Sequence, residues 1–279
     1  MQKTIRLLYK YTIAITNSLV LFFRSFVFLP FRTWLRFWIP GAYTDGEIKI
    51  DSLYYTIHSQ HLSERIADLY MIMTCVKDKQ YNPPSFEIKP HDTIVEVGGH
   101  IGSFSVYAAR NAPQGRVVVY EPDPGNFTYL QKNIHLNKLS NITVKKMAVA
   151  AKKETRMFFP STVNTAESSM YITKGQGQSI QVPTTTLSHI FEEHAVVSCD
   201  FLKLDCEGAE YEILFGTPAS CLNKIQKIAM ECHNPSYFNI ADPCYTQEGM
   251  KIFLSRNGFA VTEVRENAMH SLLFARRDT

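Results

Sequence analysis

From Asp92 onward the chain alternates between two apolar patterns. Short runs rich in β-branched residues read as buried strands, and longer segments with apolar positions three and four apart read as helices. The strands expected on this basis are Thr93–Val97, Arg116–Glu121, Ile142–Met147, Phe201–Asp205, Ile225–Cys232, Phe259–Val264 and Ser271–Ala275. Helices are expected at Ser103–Asn111, Asn126–Leu136, Leu187–His194, Tyr211–Phe215 and Gln247–Arg256, the last ended by Asn257-Gly258. Strands alternating with helices predict an α/β fold with a mostly parallel sheet covered on both faces. The last two strands stand close enough in sequence to pair antiparallel. Ala151 to Thr186 breaks the rhythm and reads as a long irregular segment, of the kind that covers a site.

Upstream, Ile66, Leu69, Tyr70, Met73 and Val76 predict a helix over Leu62–Val76, which Asn82-Pro83-Pro84 stops. Gly41 to Asp51 reads as a linker or the first strands of a small antiparallel piece. Residues 1–40 are different in kind: they hold both tryptophans and a dense set of phenylalanines. The run Thr12 to Leu29 approaches the length of a membrane span, but Asn17, Ser18 and Arg24 interrupt it. An arginine at a spanning helix centre costs ~2.5–3.5 kcal/mol. After Pro30, Arg32 and Arg36 sit one turn apart with Trp34 and Trp38 opposite, the layout of a helix lying in a membrane interface with its rings toward the acyl chains. The alternatives are a helical hairpin packed on the main domain or on a second subunit, and a spanning anchor. A secretory signal fits poorly, because no small-residue cleavage site follows the apolar run. Residues 1–50 are thus expected as a helical extension with peripheral membrane contact through 1–40, and residues 51–279 as the main domain.

Composition changes this picture in two places. The net charge of +3 hides an asymmetry: Lys3, Arg6, Lys10, Arg24, Arg32 and Arg36 precede Asp45 with no acidic residue among them. The remainder is slightly acidic, which argues against nucleic acid as a partner of the main domain. The six cysteines show neither C-x-x-C nor zinc spacing, so a reducing, cytoplasmic setting is expected, at the membrane surface if the N-terminal segment docks. Asn126-Phe127-Thr128 and Asn141-Ile142-Thr143 match glycosylation sequons but fall inside the core pattern, where they are chance matches.

The candidate chemistry gathers at strand ends. Val95-Glu96-Val97-Gly98-Gly99-His100-Ile101-Gly102 is a strand running into a glycine turn and a helix start, which lets a ligand approach the backbone. His100 stands where a dinucleotide fingerprint wants its middle glycine, so a nicotinamide cofactor suits it poorly. An acid two positions before the turn suits a ligand with a charged amino-acid tail, and S-adenosyl-L-methionine is such a ligand. Glu121 ends the next strand, about twenty residues on, where an acid holds ribose hydroxyls; Pro122 follows it. Asp205 ends the fourth strand, with Glu207 and Glu210 opening the next helix; Glu210 reads as a dipole-favoured first-turn residue, and Lys203 is left without a role. His233 follows the fifth strand, placed either to take a proton from a hydroxyl or simply to bond within its loop. Asp205, Glu207 and His233 also form an oxygen-rich set with one nitrogen, but no metal is expected.

Taken together these strings, with Tyr120-Glu121-Pro122-Asp123-Pro124, Ala148-Val149-Ala150 and Phe201-Leu202-Lys203-Leu204-Asp205-Cys206-Glu207-Gly208-Ala209-Glu210, resemble the FkbM family of S-adenosylmethionine-dependent methyltransferases. The resemblance implies a class I, Rossmann-like fold with a seven-stranded sheet, and O-methylation of a sugar, glycolipid or natural-product hydroxyl. It implies cofactor contacts at Glu96, Gly98, Gly99, His100, Ile101, Gly102, Glu121, Pro122, Ala148 and Asp205. Catalysis would fall to Asp205, Glu207 and His233, with Ser168, Ser169 and His233 facing a small-molecule, glycan or lipid-linked acceptor. The family commonly has Asp and Asn where this chain has Glu96 and His100. His100 favours the rival reading, a cofactor-fold module that binds a membrane or protein partner without catalysing.

Overall fold

The computed structural model describes residues 18–39, 42, 47–161, 164–171, 178–240, 242–265, 267 and 269–277. Helices α1 (residues 18–28) and α2 (Phe31–Trp38) come first, followed by a hairpin of β1 (Glu47–Ile50) and β2 (Leu53–Thr56) and the long helix α3 (Leu62–Val76). The hairpin turns at Asp51, whose φ of 56° is left-handed. Leu21 and Phe37 from the first two helices, and Leu29 between them, are buried in one apolar cluster with Ile48, Tyr55, Leu69 and Ile72. One face of the N-terminal extension therefore packs on the rest of the molecule.

A repeating strand–helix unit follows: β3 (Thr93–Val97), α4 (Ser103–Asn111), β4 (Arg116–Tyr120), α5 (Pro124–Leu136) and β5 (Ile142–Lys145). Helix α5 starts two residues earlier than its apolar pattern suggests. Asp123 caps it, accepting from the N–H groups of Gly125 and Asn126, and Pro124 fits the first helical position. Next come β6 (Ala148–Val149), β7 (Thr155–Phe158), β8 (Ile180–Thr185) and α6 (Leu187–Glu193). The second half holds β9 (Phe201–Leu204), α7 (Glu210–Phe215), α8 (Ala219–Leu222), β10 (Lys227–His233), α9 (Gln247–Arg256), β11 (Phe259–Arg265) and β12 (His270–Arg277).

The main sheet has seven strands in the order β11-β12-β10-β9-β3-β4-β5. All neighbours are parallel except β12, which runs antiparallel to both β10 and β11. Its central strands are buried on both faces, which is why they read as unbroken apolar runs. The chain leaves β3 toward β4 and β5, then returns to place β9 on the other flank of β3. That reversal opens a crevice beyond the carboxyl ends of β3 and β9, where ligands bind in such sheets.

The expected irregular segment is partly ordered. β7 pairs antiparallel with β8, and β6 parallel with β8, in a second, three-stranded sheet. The arms are short and distant in sequence, and Pro183 interrupts the second, so no local pattern announces the pairing. Gly175-Gln176-Gly177 lies outside the described residues, as do residues 1–17 of the N-terminal extension.

The tryptophan placement differs from expectation. Trp34 donates its indole N–H to the Phe22 carbonyl at 3.0 Å and Trp38 to Ser25 Oγ at 3.2 Å, so both turn back onto α1. A buried indole seeks an acceptor, and α1 offers one. The rings left outward are Phe23, Phe26 and Phe31. Among the described residues no helix is long and apolar enough to cross a membrane.

Candidate active site

The glycine turn is built by backbone contact. Gly98 has φ +83°, and a Cβ there would run into the carbonyl oxygen of Asp205 on the neighbouring strand end. Only glycine lets β3 and β9 close this tightly, which brings Asp205 to the floor of the crevice. Gly102, at φ +89°, starts α4 against Leu130.

One hollow joins Gly98, His100, Glu121, Pro122, Ala148, Asp205, Glu207 and Ser168 as wall residues. Val149, Phe158 and Met170 give it an apolar flank from the second sheet and the segment behind it. Glu96, Gly99, Ile101, Gly102, Ser169 and His233 do not line it; they stand behind the wall. Glu96 is buried, accepts from Ser105 Oγ and lies 3.6 Å from Lys203 Nζ. Ser169 Oγ donates to the Glu207 carbonyl at 2.7 Å, tying the covering segment to the floor.

Glu121 lines the hollow and accepts from two backbone N–H groups. One oxygen accepts from the His100 N–H at 2.7 Å and the other from the Asp123 N–H at 2.8 Å, with lone pairs to spare on each. Burial, then the nearby Asp123 charge, pushes its carboxyl up to about 8.

The floor is an ion network around two cations. Lys203, buried, donates to Gly98 O at 2.8 Å and to Asp205 Oδ2 at 3.3 Å. Residues two apart on a strand share a face, so Lys203 stands beside Asp205. Burial works against Asp205 ionising, but Lys203 and His233 outweigh it and hold the carboxyl below its usual range. Tyr81 donates to Asp205 Oδ2, and its hydroxyl lies 2.9 Å from both Asp205 and Glu231. Glu231, crowded by burial and Asp205, is raised to about 7.

His233 is clamped between carboxylates. Its Nδ1 is 3.0 Å from Glu210 Oε1, and its Nε2 lies 3.4 Å from Glu207 Oε2 and 3.7 Å from Glu231 Oε2. Burial opposes its charge, yet Glu207 and Glu210 raise it well above 6.5, so at neutral pH it is an imidazolium. Burial raises Glu207 in turn, with His233 pulling the other way. Glu207 sits at φ 53° and Gly208 at φ 101°, a left-handed turn that aims the Glu207 side chain at the hollow. Glu210 also accepts from the N–H groups of Cys206 and Gly208 at 3.1 Å each, so it holds turn and imidazole together.

Tyr81 and Asp68 carried no signal in the sequence that set them apart, and Glu231 only a faint one. Each comes from an element remote from the glycine turn, and only the fold brings it in. Glu231 was visible as an acid inside an apolar strand, an arrangement that burial must compensate.

Seven strands with the last one reversed between its neighbours, wound about a ligand crevice at the switch point, make this the fold of the class I methyltransferases. The chain belongs to the FkbM methyltransferase family: residues 96–261 match the family described as the methyltransferase FkbM domain. It is 25% identical over 209 residues to "Methyltransferase 1" of Beauveria bassiana, covering 67% of this chain and 83% of that one. It is 23% identical over 186 residues to the 31-O-demethyl-FK506 methyltransferase FkbM of Streptomyces tacrolimicus, covering 56% and 71%. Among solved structures, M. jannaschii TYW2 in complex with AdoMet is similar with TM-score 0.43 and 14% identity, over 86% of this chain and 90% of that one.

The cofactor is S-adenosylmethionine, and the residues present fit it. Glu121 offers acceptor lone pairs for ribose hydroxyls, the Ala148–Phe158–Met170 flank suits an adenine ring, and Gly98 lines the hollow with no side chain to obstruct a ligand. The buried Nδ1 of His100 makes no hydrogen bond among the described residues and is a further candidate contact for it.

Proposed function

We propose that this methyltransferase methylates a hydroxyl oxygen of a sugar, glycolipid or natural product, with Asp205 and Glu207 receiving the acceptor. The observation that carries the reading is that these two carboxylates line the same hollow as Glu121 and Gly98. S-adenosylmethionine supplies a methyl group on a positively charged sulfur. Glu121 and the Gly98 turn hold the nucleoside and amino-acid ends. Asp205, kept ionised by Lys203, orients the acceptor hydroxyl, and Glu207, raised above the ordinary carboxylate range, takes its proton. His233 acts through Glu207: its charge steadies the carboxylate before transfer, and Glu210 fixes the ring. Ser168 and the segment around it exclude water from the hollow. Placement of the hydroxyl along the sulfur–methyl axis supplies the larger part of the rate, since near-attack geometry is worth several kcal/mol.

A second feature supports a membrane-proximal acceptor. Leu19, Val20, Phe23, Phe26 and Val27 on α1 and Phe31 and Leu35 on α2 are exposed, beside exposed Arg32 and Arg36. Apolar rings flanked by arginines in a segment without acids match an anionic lipid surface.

The test is methyl-labelled S-adenosylmethionine with candidate acceptor pools, glycolipid extracts among them. Label in a base-stable ether supports the reading; label on nitrogen or in a base-labile ester overturns it. Flotation with phosphatidylglycerol vesicles tests the membrane contact, and equal binding of wild type and a Phe23→Asp/Val27→Asp variant would dismiss it.

A further inference from the structure

The residue that departs most from the expected glycine turn is wired into a network of its own. His100 Nε2 lies 2.9 Å from Thr165 Oγ1 and 3.3 Å from Asp68 Oδ1. Thr165 comes from the segment covering the hollow, and Asp68 from α3. Asp68 is fully buried. Burial opposes its ionisation, but hydrogen bonds from His100 and His58 overcome that and lower it to about 2. His58 contributes both its N–H, at 2.7 Å, and its Nδ1, at 2.8 Å.

Proton counting fixes the ring. Thr165 has one hydroxyl proton, and it goes to the ionised Asp68 at 3.1 Å. The 2.9 Å contact between Thr165 and His100 therefore needs a proton on Nε2. His58 also faces that carboxylate at short range, and a His100 ring that holds a single proton, on Nε2, leaves Nδ1 as a bare acceptor. That Nδ1 is buried with no partner among the described residues, on a residue that is 8% exposed and lines the cofactor hollow. A buried acceptor left unmatched is costly, so it calls for a donor.

We propose that His100 Nδ1 accepts a hydrogen bond from an N–H or O–H group of bound S-adenosylmethionine, with Asp68 as the positioning residue that sets its tautomer and Thr165 as the latch that ties the covering segment to it. The inference rests on the cofactor assignment above. Two groups of the cofactor have the required chemistry, the methionine ammonium and the ribose hydroxyls. The His100 N–H bond to Glu121 joins this turn to the acid proposed to hold the ribose. The same wiring makes the covering segment sense occupancy: Asn126 Nδ2 donates to Thr165 O at 2.9 Å, and Ser168 Oγ to Asp123 Oδ2 at 3.3 Å.

The experiment titrates the full-length protein with S-adenosylhomocysteine and with 5′-methylthioadenosine, which lacks the amino acid, using wild type, His100→Gly and His100→Asn. Both replacements tolerate the φ of 49° at this position, and asparagine keeps an acceptor. His100→Gly is expected to weaken S-adenosylhomocysteine about ten-fold, with His100→Asn recovering most of the loss. A loss confined to S-adenosylhomocysteine assigns the ammonium as donor; a loss with both ligands assigns a ribose hydroxyl. Nitrogen-15 spectra give a readout that a purely structural role would not move. His100 should show an unprotonated Nδ1 that shifts on S-adenosylhomocysteine binding, and Asp68→Asn should mix the tautomers. Wild-type affinity in His100→Gly for both ligands, or a protonated Nδ1 in the free wild type, overturns the proposal. Failure of the wild type to bind S-adenosylhomocysteine at all would instead bring down the cofactor assignment on which it stands.

Discussion

Glu121→Gln probes the cofactor grip with almost no change of shape. The carboxylate accepts the His100 and Asp123 N–H groups at 2.7 and 2.8 Å and keeps lone pairs for two ribose hydroxyls. An amide retains one oxygen and turns a second donor toward groups that already donate. Hydrogen bonds to a charged acceptor contribute ~1.5–3 kcal/mol each, so losing the paired grip should cost about 3 kcal/mol, or roughly a hundred-fold in Kd. The pH dependence sharpens the test. With the carboxyl at about 8 in the free protein, binding to its ionised form tightens by up to ten-fold per unit as pH rises toward 8, then levels off. Folding stability runs the other way. A carboxyl raised above its unfolded value contributes stability that is full below about 4.5 and lost as pH rises through about 8. Free wild type should therefore melt lower at pH 9 than at pH 6, and Glu121→Gln should flatten part of that slope. Calorimetric titration with S-adenosylhomocysteine at pH 6, 7, 8 and 9 measures the first effect, and thermal melts the second. A variant that binds within three-fold of wild type, or keeps its pH dependence, refutes the argument.

Other outcomes follow from the same geometry. Tyr81→Phe removes the hydroxyl shared by Asp205 and Glu231 and should lower kcat about ten-fold while leaving S-adenosylhomocysteine affinity unchanged, since Tyr81 does not line the hollow. Glu207→Gln should abolish the rise of kcat with pH that a raised carboxyl produces, and His233→Gln should shift that rise further upward by removing the imidazolium. Gly98→Ala should fail to fold stably or to bind cofactor, because its Cβ meets the Asp205 carbonyl; a well-behaved, active alanine variant would contradict the strand contact. Asp205, Glu207 and His233 bring three donor atoms within 4.8 Å of one another, yet the imidazolium already supplies positive charge there. Activity should survive a chelator; its loss, with recovery on adding magnesium, would show that a cation belongs in the cluster.

Much of this molecule was legible in the order of its residues. The central strands of the main sheet are apolar runs with a turn signal behind them, because a strand buried on both faces needs nothing from its partners to announce itself. The glycine turn and Glu121 were legible for the same local reason: their chemistry depends on neighbours a few positions away. The second sheet was not, since β7 and β8 are short, far apart and interrupted by Pro183. Nor were the roles of Lys203, Glu210 and Asp68. Each is set by a partner more than twenty residues distant: Gly98 for Lys203, His233 for Glu210, and His100 for Asp68. Glu210 reads locally as a helix-start acid, and only the return of β10 turns it into the clamp on His233. The tryptophans show the opposite error, a surface pattern overridden by hydrogen bonds to α1.

A crystal structure of the full-length protein with S-adenosylhomocysteine bound tests the central claim most directly. The account predicts the ribose hydroxyls on Glu121, the amino-acid end at the Gly98 turn, and the sulfur facing the hollow shared by Asp205 and Glu207. Ligand density anywhere else, or a sulfur turned away from those two carboxylates, would contradict it.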